Sequence, residues 1–278
     1  MYKALAPDCI GHPIPFKESA AIAAKHGFEG IWFNLPRDSK TDISETKELL
    51  GKYNLKAAGF ALPVEYRLDD ATYDEGIKGL EAYIRYAKEV GMNRCITWIY
   101  PFSDTMNYQE NFEFHRKRLT VSAEILKEYE MSLGLEFLGP PKLRKGVKFE
   151  FIHNLDQMME LCNAIGTNNV GLLLDVWHWD LAGQTYADFK KLPNEKSVVL
   201  AHIMDAPAGV PVDEQEDLVR CLPGSTGVLK IQDFFKGLQD IGYTGPVVAE
   251  PFAKELGEMS FEDAVIAVKT SVDKVWPK

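Results

Sequence analysis

Eight short β-rich segments recur along the chain with helix-length stretches between them. A strand followed by a helix, repeated eight times, is the pattern of a (β/α)8 barrel. An open doubly wound sheet alternates similarly but usually has fewer strands, and no GxGxxG follows the first segment. No linker or low-complexity tract divides the chain. The sequence therefore predicts an α/β fold, a (β/α)8 TIM barrel in one domain over residues 1–278. The segments begin at Ala4, Gly30, Lys56, Arg94, Met131, Val170, Ser197 and Gly245.

Two connections in this pattern are long. Residues 139–153 follow the fifth segment, and residues 207–227 follow the seventh. Long loops in a compact domain are commonly functional, and both follow strand C-termini, where barrels build their active sites. We expect a site at this face. Helix signals also stand out, with Asn154 and Gln157 opening one helix that closes at Gly166, and Ser260 and Asp263 opening another.

The charge balance excludes some partners. The net charge is −10 and the pI is near 5.2, which argues against a nucleic-acid partner because such binding needs clustered lysine and arginine. The four cysteines stand far apart, with no zinc-binding spacing and no disulfide pattern. We see no apolar run of membrane-spanning length and no leader segment, so we expect no membrane partner and a cytoplasmic location.

Each of the last four strand segments carries a potential metal ligand near its C-terminal end. These residues are Glu136, Asp175, His202 and Glu250. One acid at a strand end is more often a helix cap or a solvated loop residue. Four ligands on consecutive strands would converge at the barrel mouth, where three carboxylates repel one another unless a cation neutralises them. Three oxygens and one imidazole suit Mn, Mg, Co or Zn, so the pattern predicts one divalent metal ion.

Other residues near the same strand ends are candidates for binding a substrate. His178 lies just beyond Asp175, and an imidazole there can orient a carboxylate or contact substrate, or simply start a helix. Trp177 and Trp98 can be core residues or an apolar wall for a sugar ring. His12, after the first strand, is a further rim candidate. The basic loop, residues 142–150, carries four cations and one acid, which indicates a solvated loop or an anion contact.

Several joined motifs resemble a known family. They are LGLEFLG, VGLLLDVWHWDLAG, LAHIMDA, Arg220 with PGSTG, and IGYTGPVVAEPF. This set is similar to the xylose isomerase-like sugar phosphate isomerase/epimerase barrels, and within them most similar to inosose (2-keto-myo-inositol) isomerases. The resemblance implies that the four ligands hold one metal, that His178 and Arg220 contact substrate, and that Glu136 and Glu250 act as catalytic acid and base. PGSTGVLK departs from the family turn, with an extra residue and no following acid.

The resemblance implies proton transfer beside a carbonyl, through an enediolate that the metal stabilises. Isomerisation or epimerisation of a keto-sugar or keto-inositol is the leading hypothesis, and dehydration or C-glycoside cleavage on a related keto-polyol is the alternative. The chain has only six histidines and an acidic net charge, and both observations disfavour an abasic-site endonuclease. The expected partner is a small sugar or cyclitol, and a homo-oligomer is left open.

Overall fold

A closed barrel of eight parallel strands forms the centre of the molecule in a computed structural model that describes residues 1–278. Neighbouring strands follow chain order around the barrel, and the last strand pairs with the first. The predicted (β/α)8 fold is confirmed. The strands are β1 (Tyr2–Leu5), β2 (Gly30–Phe33), β3 (Lys56–Ala61), β4 (Arg94–Ile99), β5 (Ser132–Phe137), β6 (Val170–Asp175), β7 (Val198–Ile203) and β8 (Pro246–Ala249).

Helices surround the barrel and cover its outer surface. The strands are therefore buried on both faces, which explains why they read as nearly continuous apolar runs. The helices are α1 (Phe16–Lys25), α2 (Leu35–Asp38), α3 (Ile43–Tyr53), α4 (Asp70–Glu89), α5 (Tyr108–Glu128), α6 (Leu155–Ile165), α7 (Val176–Leu181), α8 (Ile231–Asp240), α9 (Lys254–Glu258) and α10 (Phe261–Val275). None of them is long and apolar enough to cross a membrane.

The apolar core has two parts. A large cluster lies between the strands and the helices. A small cluster contains inward-facing residues of six strands, among them Ile96, Leu173 and Val248. Because strand side chains alternate between faces, residues two positions further along each strand also face inward. The alternation therefore carries inward-facing side chains from this small core to the barrel mouth.

The predicted helix starts are confirmed in detail. Asn154 accepts a hydrogen bond from the backbone N–H of Gln157 at 3.1 Å, and Ser260 accepts one from that of Asp263 at 3.2 Å. Gly166 ends its helix with a φ of 74°, a conformation that glycine adopts without steric cost.

Two local details differ from the sequence interpretation. The first strand begins at Tyr2 rather than Ala4 and ends at Leu5. Residues Asp8–Ile10 form a 3-10 turn after Pro7, which lacks the N–H that would continue the ladder. The loop after β5 contains a two-residue strand, Phe149–Glu150, which pairs antiparallel with Phe102–Ser103. All four cysteines are free.

Candidate active site

Asp175 and His202 form the centre of the site. Asp175 is the last residue of β6, and His202 belongs to β7. The sheet register places the two residues directly opposite each other. Both are buried, and His202 Nδ1 lies 3.8 Å from Asp175 Oδ2. The other oxygen, Asp175 Oδ1, accepts a 2.6 Å hydrogen bond from the backbone N–H of Trp177. Asp175 is therefore both the N-cap of α7 and a candidate metal ligand. The helix-cap and the ligand interpretations of this strand-end acid are thus compatible.

Glu136 is contributed by β5, where it pairs in register with Trp98 of β4. Both follow the inward alternation of their strands. Glu136 is buried, and its Oε1 has no hydrogen-bond partner. Trp98 is partly exposed and packs edge-on against Tyr100, with the guanidinium of Arg67 4.2 Å from its ring centroid. The indole therefore forms part of the mouth wall beside Glu136.

Glu250 follows β8 immediately and completes the group. Its backbone N–H donates to Ile203 O at 3.1 Å, which keeps the residue in the barrel register beyond the strand end. Its Oε2 lies 3.4 Å from His202 Nδ1. The thiol of Cys9, from the first βα loop, lies 3.7 Å from Oε1 and can donate a weak hydrogen bond to it.

Arg220 reaches the same point from the long loop after β7. Its Nη1 donates to Asp175 Oδ2 at 3.1 Å and to Glu250 Oε2 at 2.9 Å. Nη2 donates to Asp217 Oδ1 at 2.8 Å, and Nε donates to the Asp217 carbonyl at 2.7 Å. The guanidinium is almost fully buried, so these charge-assisted bonds hold it in one orientation.

His178 and Trp177 lie on α7 behind these groups, and both are buried. The backbone N–H of Gly139 donates to His178 Nδ1 at 3.3 Å, and Arg220 Nη2 approaches Nε2 at 3.2 Å. Donors thus face both ring nitrogens, and burial lowers the pKa of His178, so the neutral ring is favoured. The Trp177 ring lies 5.2 Å from the guanidinium carbon of Arg220.

The donor set fits a divalent cation. Ligand atoms of Asp175, His202 and Glu250 lie within 4.8 Å of one another, as do those of Glu136, Asp175 and His178. Two buried atoms in this set, Glu136 Oε1 and His202 Nδ1, have no hydrogen-bond partner. Buried polar atoms are normally satisfied, so atoms without a partner in a cluster of acids are consistent with ligands of a cation.

The ionisation of the group differs sharply from residue to residue. Burial, with the charges of Asp175 and Glu250, raises the pKa of Glu136 well above its usual range. Burial also opposes ionisation of Glu250, but His202 and Arg220 hold its pKa below the usual range. Burial alone would lower the pKa of His202, yet the Glu250 and Asp175 carboxylates raise it to about 10. The metal-free site therefore keeps a proton on His202 at neutral pH, and Glu136 binds its proton more tightly than an ordinary glutamate does.

Metal binding is expected to release these protons, since a metal ligand must be deprotonated. Because both pKa values are raised, lowering the pH below neutrality should weaken binding further. Titration calorimetry of Zn²⁺ or Mn²⁺ at pH 7 in buffers of different ionisation enthalpy measures the protons released. We expect at least one proton per ion, and release of none would contradict this assignment of charge.

Two sequence candidates lie outside this cluster. His12 makes no hydrogen bond to the three acids or to the imidazole of His202. Its Nε2 lies 2.9 Å from Leu256 O, and its ring packs against Phe261. In the basic loop, Lys142 lies 2.8 Å from Glu216 and Lys145 lies 3.1 Å from Glu214, both in the loop after β7. The two long loops therefore contact each other through opposite charges.

Sequence reasoning missed two groups in the site, Asp217 and Cys9. Asp217 precedes Arg220 by three residues, the spacing of a local ion pair, and this signal was available in the sequence. Cys9 gave no such signal, because only barrel closure brings β1 beside β8.

Two open recesses lie at the opposite end of the barrel. They have volumes of about 430 and 670 Å³ and share Asn93 and Arg94 at the start of β4. No candidate metal group occurs among their residues. The buried ionisable cluster at the strand C-termini is therefore the candidate active site, as is general in these barrels.

Fold and site together define a (β/α)8 barrel with a buried cluster of ionisable groups at its C-terminal mouth. Residues 20–270 match the model of the xylose isomerase-like TIM barrel family. The chain belongs to this family.

Two relatives are named inosose isomerase. The protein from Halalkalibacterium halodurans is 31% identical over 160 residues, which is 58% of this chain and 53% of that protein. This match therefore spans about half the length of the relative. The protein from Bacillus velezensis is 23% identical over 271 residues, covering 94% of this chain and 92% of that protein. The expected enzyme class agrees with both names.

One similar solved structure is the IolI protein with a bound zinc atom. It superimposes with a TM-score of 0.83 at 20% identity, covering 99% of this chain and 98% of that chain. At this identity the similarity shows the shared fold.

Proposed function

We propose that this chain is a divalent-metal-dependent isomerase or epimerase of an uncharged keto-sugar or keto-inositol. The observation that carries the proposal is that Glu136, Asp175, His202 and Glu250 belong to two overlapping groups of ligand atoms that share Asp175, with two buried ligand atoms lacking partners. The names of the relatives support the inosose end of this range. Manganese, cobalt, zinc and magnesium all suit the donor set.

The same four side chains would hold the ion. A bound divalent ion supplies positive charge where a carbonyl and its neighbouring hydroxyl develop enediolate character. Glu136 and Glu250 come from strands that β6 and β7 separate, so their carboxyl groups flank the Asp175–His202 pair. In the proposed reaction one carboxylate removes a proton from the substrate carbon and the other returns it.

The destination of the proton decides the reaction. Return to the neighbouring carbon gives isomerisation, and return to the same carbon from the opposite face gives epimerisation. Loss of a β-hydroxyl gives dehydration instead. The neutral His178 ring and the Arg220 guanidinium are proposed to orient substrate hydroxyls, and Trp177, Trp98 and His12 are proposed to complete the pocket wall.

The charges at the mouth favour an uncharged substrate. Arg220 is already bound to three carboxylates. Three cations of the basic loop, Lys142, Arg144 and Lys145, each lie within 3.4 Å of a carboxylate oxygen. A phosphate would have to compete with these acids, which cancel most of the excess positive charge of the basic loop.

A solvent-exchange screen tests the proposal. Inososes and ketohexoses, with the matching sugar phosphates, are incubated in D2O with protein loaded with Mn²⁺, Co²⁺ or Zn²⁺, and deuterium beside the carbonyl is followed by NMR. We expect exchange with at least one uncharged substrate and its loss after chelation. Absence of exchange for every uncharged compound, or a tenfold preference for a phosphate, would contradict the proposal.

A further inference from the structure

Asp205 lies two residues beyond β7, and its side chain is fully buried outside the candidate ligand set. Its two oxygens accept hydrogen bonds from five backbone N–H groups. Oδ1 accepts from residues 206, 228 and 229 at 2.9 to 3.1 Å, and Oδ2 accepts from residues 226 and 227 at 3.1 and 2.7 Å. Bonds to an ionised acceptor are about twice as strong as neutral ones. The carboxylate therefore joins the start of the 206–229 loop to its end.

The backbone of Asp205 holds the same loop at a second point. Its N–H donates to Cys221 O at 2.9 Å, and its carbonyl accepts from the Cys221 N–H at 2.8 Å. Cys221 is the residue after Arg220. Asp205 thus holds the end of the loop through its carboxylate. Through its backbone it also holds Cys221, the neighbour of Arg220, and so positions the Arg220 guanidinium in the site.

The rest of the loop is also internally bonded. The buried Gln215 donates from Nε2 to the carbonyls of Pro207 and Val210 at 3.1 and 3.0 Å. Together with the 217–220 turn, these bonds hold the loop in a defined conformation. PGSTGVLK, which lacks the acid of the family turn, contributes its backbone N–H groups to Asp205 instead.

We infer that Asp205 is a positioning residue, whose carboxylate sets the 206–229 loop so that Arg220 lies between Asp175 and Glu250. Its importance for turnover rests on the proposed function, whereas its effect on the loop does not. Arg220 has no other route to the site, because it lies on the loop and not on a barrel strand.

Asp205→Asn tests the inference at nearly constant volume. An amide has one acceptor oxygen, so in either orientation its NH2 group faces at least two backbone N–H donors. Hydrogen–deuterium exchange with mass spectrometry should show peptides covering 217–229 exchanging at least tenfold faster, with β5 and β6 peptides unchanged. Unchanged exchange in 217–229 would overturn the inference whatever the substrate is.

Turnover separates positioning from general stability. We expect kcat/KM to fall roughly 10- to 100-fold, as for the loss of bonds to a charged acceptor. Zn²⁺ content is measured on the same samples, so that turnover is compared at equal metal occupancy. In an Arg220→Ala background the same substitution should cost less than about threefold, because no guanidinium remains to be placed. An equal loss in both backgrounds would overturn the inference.

Asp188→Asn is the matched control. Asp188 also accepts backbone and hydroxyl bonds in a turn, from Thr185 at 2.7 and 3.0 Å, but it lies away from the site. This substitution should leave kcat/KM and the exchange of 217–229 unchanged. A wild-type protein without turnover on any ketose would refute the proposed function alone, since the exchange experiment still decides the role of Asp205.

Discussion

Glu250→Gln is expected to lower kcat by about 10² to 10⁴-fold, the usual contribution of a positioned acid–base group. The amide keeps the size of the side chain but cannot accept the substrate proton. It also replaces an oxygen of a carboxylate whose pKa is held low by His202 and Arg220 despite burial. Steady-state kinetics on the best substrate from the exchange screen measures the loss.

Metal loss would confound this result, so metal content is measured on the same samples. His178→Ala is the informative contrast, because loss of a substrate-orienting ring should lower activity while metal stays bound. Glu258→Gln, at an exposed site on α9, should behave as wild type. If Glu250→Gln with full metal occupancy still exchanged substrate hydrogen at the original rate, Glu250 would not be the base.

Asp175→Ala should abolish measurable metal binding and lower the free energy of unfolding by several kcal/mol. The loss has two sources. Removing one partner of a buried ion pair costs about 3–5 kcal/mol, and here it leaves the buried Arg220 with one carboxylate fewer. Removing the N-cap of α7 costs about 1 kcal/mol more. Urea unfolding and metal titration measure the two effects.

Asp175→Asn separates the cap from the charge. Its remaining oxygen can still accept from the Trp177 N–H, so α7 keeps its cap while the ion pair and the anionic ligand are lost. We expect metal binding to weaken as in the alanine variant, with a smaller loss of stability. Equal stability losses in both variants would show that the cap contributes nothing, and unchanged metal affinity in either would remove Asp175 from the ligand set.

The sequence alone determined the barrel and the face on which its strands end. Apolar runs followed by helix-capping residues are local signals, and alternation along a strand is set by backbone geometry. These signals alone place Glu136, Asp175, His202 and Glu250 at one mouth, because parallel strands in a closed barrel end on the same face. The dual role of Asp175 was not evident, since one carboxylate serves the helix and the site with different oxygens.

Only the tertiary structure decided how the loops that follow the strands are placed around the site. The Cys9 thiol reaches Glu250 through barrel closure, and the cations of the basic loop meet acids from a loop about 70 residues away in the chain. Arg220 belongs to a loop whose path is set by hydrogen bonds from Asp205 to backbone groups, and backbone donors carry no sequence signal. Local pattern determines where a strand ends, but loop placement depends on long-range polar contacts that any residue's N–H can make.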